Sequence, residues 1–128
     1  MKQKLYLSAP INGQKNGNTD LFKKWEAYFI TLGYDVINPH KICENIEYTT
    51  NCINPKEGVY MGNDMKYLSK CDIIALLPGW NIGSRGCKHE VFFANDYRLK
   101  IFNCNDYNKM EHKEITLKMD IIFGVVEL

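Results

Sequence analysis

The sequence predicts an α/β domain with a mainly parallel sheet flanked by helices. Two observations predict it. Short apolar runs at Lys4 to Ser8, Tyr34 to Asn38, Asp72 to Pro78 and Lys100 to Cys104 alternate with stretches whose apolar residues recur at helical spacing. One of these runs, "DIIALLP" at 72–78, is the most apolar in the chain, as a strand covered on both faces must be.

Each element has a local reason. Lys4 to Ser8 is closed by Ala9-Pro10 and Asn12-Gly13, which end a buried first strand in a loop. Gln14 to Thr19 is polar. Asn18 or Thr19 is placed to cap a helix carrying Leu21, Phe22, Trp25, Tyr28, Phe29 and Leu32 on one face, with Gly33 as its stop. Tyr34 to Asn38 makes a second strand, ended by Pro39. His40 to Tyr60 has little periodicity and reads as a long loop with at most a helical turn. Tyr60 to Cys71 and Gly86 to Leu99 are predicted helices on either side of the "DIIALLP" strand. Near the end, "ITLKMDI" alternates at period two while also fitting a helical face; the alternation favours a strand over Ile115 to Phe123.

The 128 residues suit one domain over the whole chain, and 45% hydrophobic with 24% charged residues place it among ordinary globular proteins. A net charge of +1 and only two arginines, Arg85 and Arg98, argue against a nucleic-acid partner. Five cysteines without a C-x-x-C spacing, and scattered His40, His89 and His112, predict no metal site. Reduced thiols suit the cytoplasm. The first residues lack the apolar run of a signal peptide, and no stretch has the length to span a bilayer, so no membrane association is expected.

In a parallel sheet, ligands gather beyond the carboxyl ends of the strands, which singles out the loops after Ser8, Asn38, Pro78 and Cys104. The third of these, "LLPGWNIGSRGCKHE" at 76–90, carries the most chemistry. With the helix beginning near Gly86, Glu90 is expected in its first turn or just after it, held as a carboxylate by free backbone N–H groups, as a nucleophile or as a dipole partner only. Gly83, Ser84 and Gly86, with Arg85, read as an anion cradle at the helix start, though "GSRG" lacks the dinucleotide fingerprint and the P-loop lysine, and no cofactor is expected. Trp80 is placed to stack on a base or sugar, or to cover the edge of the core. Asp64 shares a helical face with Met61, Leu68 and Cys71, where an acid is costly unless paired or functional. Tyr6 reads as a core aromatic by strand alternation, with its phenol near enough to the strand end to reach a carboxylate.

Four motifs, "YLSAPING" at 6–13, "GYDVINP" at 33–39, "NDMKYLSKCDIIALLPGW" at 63–80 and "GSRGCKHEVFFA" at 83–94, together resemble the DUF4406 family. That family is similar to nucleoside 2-deoxyribosyltransferases and to 2'-deoxynucleoside 5'-monophosphate N-glycosidases. The resemblance covers roughly residues 4–103. It implies a flavodoxin-like doubly wound fold, a homo-oligomer (dimer or larger), and a nucleoside or nucleotide as the small-molecule partner. It implies Glu90 as nucleophile at the anomeric carbon, Tyr6 as the residue that orients it, and Asp64 beside the nucleobase. It implies a substrate pocket lined by Ser8, Pro10, Asn12 and Gly13 after the first strand, and by Trp80, Gly83, Ser84 and Gly86 before the helix, with Ser84 on a 5'-phosphate. The loop from Trp80 to Ser84 is one residue longer than the family pattern, and residues 41–58 have no clear counterpart in it. The expected activity is cleavage or transfer at an N-glycosidic bond; the rival expectation is a non-catalytic nucleotide-binding module with Trp80 and Tyr6 as a base clamp.

Overall fold

Alternation along the strands builds two cores, one on each face of a single sheet. The computed structural model describes residues 2–11, 13–43, 57–82, 84–120 and 124–127. Five strands, β1 (Lys4–Ser8), β2 (Asp35–Ile37), β3 (Ile73–Leu76), β4 (Lys100–Asn103) and β5 (Lys113–Ile115), lie in the order β2-β1-β3-β4-β5. The first four run parallel, and β5 pairs antiparallel with β4. This is the flavodoxin-like doubly wound order, with the "DIIALLP" strand at its centre.

Leu5, Leu7, Ile73, Ala75 and Phe102 point to one face, where α1 (Thr19–Thr31) lays down Phe22, Trp25 and Phe29. Tyr6, Ile74, Leu76 and Ile101 point to the other, where Leu68 comes from α3 (Glu57–Leu68), and Val91 and Ala94 from α4 (Arg85–Asp96). The period of two along each strand sorts the residues between the cores. A short helix, α2 (Pro39–Cys43), follows β2, and its Lys41 pairs with the half-hidden Glu26 of α1 at 3.0 Å. The expected long loop is thus helical at both ends, and α3 begins a turn before Tyr60. Residues 44–56 lie outside the described set.

The helix ends differ from expectation in instructive ways. Before α1, Asn18 is left-handed and its amide donates to the Pro10 carbonyl at 2.7 Å, so the expected Asn18 side-chain cap is not made. After α1, Gly33 takes φ +96 and Tyr34 N–H reaches back to the Phe29 carbonyl, a Schellman ending. α4 ends the same way at Asp96 rather than Leu99. Arg98 adopts φ 58, and the N–H groups of Arg98 and Leu99 bond the carbonyls of Asn95 and Ala94. Arginine is an uncommon left-handed residue, so composition does not announce this stop. Leu32, expected on the buried face of α1, is 51% exposed just past its end.

The C-terminal alternation does form strand, broken at Thr116. Lys113 to Ile115 edge the main sheet, while β6 (Leu117–Asp120) turns away to pair with β7 (Gly124–Glu127). Residues 121–123 lie outside the described set. No helix among the described residues is long and apolar enough to cross a membrane.

Burial sets the stability expected along α1. Trp25→Ala empties a fully buried site and is expected to cost about 3–5 kcal/mol. Ile30→Ala, on the exposed side of the same helix, is expected to stay within about 0.5 kcal/mol. Urea unfolding of the two variants checks the contrast.

Candidate functional site

Tyr6 and Ser8 stand two residues apart in β1, so both side chains leave the sheet on the face that α3 and α4 cover. Across from them α4 begins at Arg85. Ser84 is its N-cap, accepting from the Cys87 N–H at 3.2 Å. Counting from there, Glu90 lies in the second turn rather than the first, beyond the free N–H groups of the helix end. Its donors come from the strand instead. The Tyr6 hydroxyl donates to Glu90 Oε2, and Ser8 Oγ donates to Oε1 at 2.8 Å. Each carboxyl oxygen has its own hydroxyl, and all three residues are buried.

This setting overturns the expectation that the helix end keeps Glu90 ionised. Burial raises its pKa from 4.5 to about 8, against the pull of the Tyr6 hydrogen bond; the nearby Asp64 charge raises it further and the Ser8 bond opposes. Asp64 is 7% exposed on α3, above Leu68 on the same helical face. Burial alone lifts its pKa from 3.8 to about 7, and its Oδ1 has no hydrogen-bond partner. The Cys87 thiol, one turn before Glu90, is pushed up to about 11 by burial and stays protonated. Two carboxyl groups with raised pKa values thus line one space; the Asp64 charge adds to the rise at Glu90, so between about pH 7 and 8 the pair carries one proton, which rests mainly on Glu90.

That space is a cleft of about 890 Å³ at the carboxyl ends of β1 and β3, where the strand order switches direction. Glu90 and Asp64 line it together with Ser84 and Gly86 from the start of α4. Ala9, Pro10, Ile11 and Gln14 supply the wall after β1, and Pro39 and His40 the wall after β2. Tyr60 and Met61 of α3, with Ile82, Arg85 and Cys87, complete it. At Gly86 an added Cβ would stand 3.4 Å from the Met61 methyl, an ordinary contact, so α3 and α4 meet here without crowding.

The expected site residues therefore separate. Tyr6, Ser8, Glu90 and Asp64 come together, but Tyr6 and Ser8 sit behind Glu90 and hold it rather than lining the cleft. Pro10, Ser84 and Gly86 line it as expected. Trp80 does not: its indole donates to Asn103 Oδ1 at 3.3 Å and packs on the second core, so the Trp80–Tyr6 base clamp is not assembled. Gly13 takes φ +77 in an exposed turn away from the cleft wall. Asn12 and Gly83 lie outside the described residues. Sequence reasoning missed Gln14, His40 and Tyr60 as individual residues. The strand-end rule did mark the loop after Asn38, and His40 is the first charge-capable side chain there. Among the described residues no three His, Cys, Asp or Glu side chains come together as a metal-binding group.

The DUF4406 family model, a domain of unknown function, matches residues 3–103, and the chain belongs to this family. The match runs from the start of β1 to the end of β4 and takes in both carboxyl groups and both hydroxyls. No curated protein matches the chain.

A raised carboxyl pKa ties stability to pH in one direction. The unfolded chain ionises Glu90 at the ordinary 4.5, while the native carboxyl holds its proton until about 8. The stabilisation is full below 4.5 and drains as pH rises through 8. The melting temperature is expected to fall between pH 5 and pH 9. Glu90→Gln, which cannot ionise, should flatten that fall and melt about 5 °C above the parent protein at pH 9. Thermal unfolding across this range checks it.

Proposed function

We propose that this DUF4406 domain breaks the N-glycosidic bond of a nucleoside or nucleotide, in the first instance a 2'-deoxy one, and passes the sugar to water or to a second base. The observation that carries the reading is the Glu90 carboxyl at the cleft wall, with a hydroxyl fixed on each oxygen and the carboxyl of Asp64 facing the same cleft. A buried, oriented carboxylate beside a carboxylic acid is the pairing that an oxocarbenium-like transition state needs. Glu90 attacks the anomeric carbon, the C–N bond breaks, and its electron pair leaves with the base. Asp64, in the fraction of the pair whose single proton sits there rather than on Glu90, gives that proton to the departing base nitrogen. Water or a second base then displaces Glu90 from the glycosyl-enzyme.

The motif resemblance to nucleoside 2-deoxyribosyltransferases and deoxynucleotide N-glycosidases supports the same assignment. Ser84 lines the cleft beside Arg85 at the start of α4, where a phosphate would meet a hydroxyl and a cation. The homo-oligomer that the resemblance implies, and a cytoplasmic setting in keeping with the buried free thiols of Cys71, Cys87 and Cys104, belong to this proposal.

One observation favours a second reading. The Glu90 carboxyl takes up its proton below about pH 8, and a neutral Glu90 suits a protein that binds a nucleotide without reacting. Release of free base from a panel of 2'-deoxynucleosides and their 5'-monophosphates, followed by chromatography, separates the two. The glycosidic reading expects turnover that Glu90→Ala reduces at least about 1,000-fold. Turnover retained in that variant ends the assignment of Glu90, and binding without base release leaves the module.

The one-proton state of the pair also sets the pH profile. The attacking group must be ionised and the donor protonated, so kcat/KM is expected to peak between about pH 7 and 8 and to fall on both sides. Tyr6→Phe removes the hydrogen bond that pulls the Glu90 pKa down. The basic limb of the profile, set by the last proton to leave the pair, is then expected to move about one unit to higher pH, with lower activity at the peak. A pH–rate series on the two proteins tests this.

A further inference from the structure

Between β1 and α1 the chain makes a short turn of 3-10 form, Lys15–Asn18, in which three successive residues are left-handed: Asn16 at φ 50, Gly17 at φ 60 and Asn18 at φ 62. All three are glycine or asparagine, the types that enter this region most readily, yet three in succession are uncommon and are held by further bonds. The Thr19 hydroxyl donates to the Asn16 carbonyl at the start of α1, and the other holding bonds lead to the cleft. The Asn18 amide donates to the Pro10 carbonyl at 2.7 Å, the Gly17 N–H bonds the Gln14 carbonyl at 3.0 Å, and the Gln14 N–H bonds the Ile11 carbonyl at 3.3 Å. Pro10, Ile11 and Gln14 are the cleft wall after β1.

The outside anchor is His40, from α2. Its Nε2 lies 2.7 Å from the Gly17 carbonyl. A carbonyl oxygen only accepts, so Nε2 carries the proton and donates. The imidazole is held from the other side by the edge of Phe22, with ring centroids 4.9 Å apart. The fit at Gly17 is close: an added Cβ would stand 3.1 Å from His40 Cε1 and 3.3 Å from the Ile11 methyl. Only glycine lets the imidazole sit against this turn.

We propose that His40 is a positioning residue: by clasping the Gly17 carbonyl it locks the left-handed turn, fixes the Pro10–Ile11–Gln14 wall, and so sets the affinity of the cleft for its ligand without taking part in bond breaking. The substrate class rests on the glycosidic reading above, whereas the clasp is read from the geometry alone. Glu90 and Asp64 stand on α4 and α3, outside the clasped segment, so the clasp governs KM rather than kcat.

Three variants and two measurements test it. His40→Phe keeps a ring against Phe22 and loses the donor. His40→Gln keeps an N–H donor. Gly17→Ala leaves the imidazole in place and forces a methyl against it. Hydrogen exchange at the Gly17 amide in the ligand-free protein reads the clasp, and KM and kcat for base release from 2'-deoxynucleoside 5'-monophosphates read its consequence. His40→Phe and Gly17→Ala are each expected to speed Gly17 exchange at least about tenfold and to raise KM about tenfold with kcat within about threefold, the pattern of lost uniform binding. His40→Gln should move both readouts back toward the parent protein. Unchanged exchange in His40→Phe overturns the clasp. A normal KM in Gly17→Ala beside a raised KM in His40→Phe also overturns it, because His40 would then act by touching the ligand. If the parent protein releases no base from any deoxynucleotide, the glycosidic reading falls, and the exchange measurement alone supports or overturns the clasp.

Discussion

A carboxyl group with little access to water is the constraint around which this domain is arranged. Leaving Glu90 buried without donors would cost several kcal/mol. Two hydroxyls from one strand meet that need, and they are able to do so only because strand residues two apart share a face. β1 must therefore run beside β3 in the register that sets Ser8 against Leu76, and α4 must cross that face with its second turn over the strand end. The parallel order and the Ser84 cap that starts α4 both serve this one placement.

The same placement has an electrostatic result. Asp64 and Glu90 are each more easily neutral than an exposed acid, and among the described residues neither forms an ion pair with a basic side chain. A pair that shares one proton near neutrality is poised to respond to whatever enters the cleft. A group that develops positive charge near Glu90 draws the proton off it, and a basic nitrogen near Asp64 takes a proton from it. The hydroxyls of Tyr6 and Ser8 keep the Glu90 oxygens aimed while its charge changes.

Much of the fold was legible because it rests on periodicity. The apolar continuity of "DIIALLP" marked the central strand, and Phe22, Trp25 and Phe29 marked the buried face of α1. What was not legible rests on local hydrogen bonding that residue type does not announce: a left-handed Arg98 ending α4, and Asn18 turning its amide to Pro10 instead of capping α1. The site divides the same way. Asp64 showed itself as an acid on an apolar stripe, and the motif resemblance brought Tyr6 to Glu90. The helix-start account of Glu90 failed because the helix opens at Arg85, one residue before the expected Gly86, which sets the carboxyl in the second turn, past the free N–H groups. Trp80 was misplaced because its indole finds a partner in Asn103, on a neighbouring strand whose register no local pattern reveals.

The pairing of Tyr6 and Ser8 with Glu90 also bears on how the chain finds its fold. β1 is apolar enough to be buried in either of two registers, and hydrophobicity alone discriminates weakly between them. A slip by one residue turns Leu5 and Leu7 toward α4 and carries both hydroxyls to the opposite face. Glu90 would then be enclosed by hydrocarbon with nothing to bond. The carboxyl that the cleft displays thus also proofreads the alignment of the strand behind it.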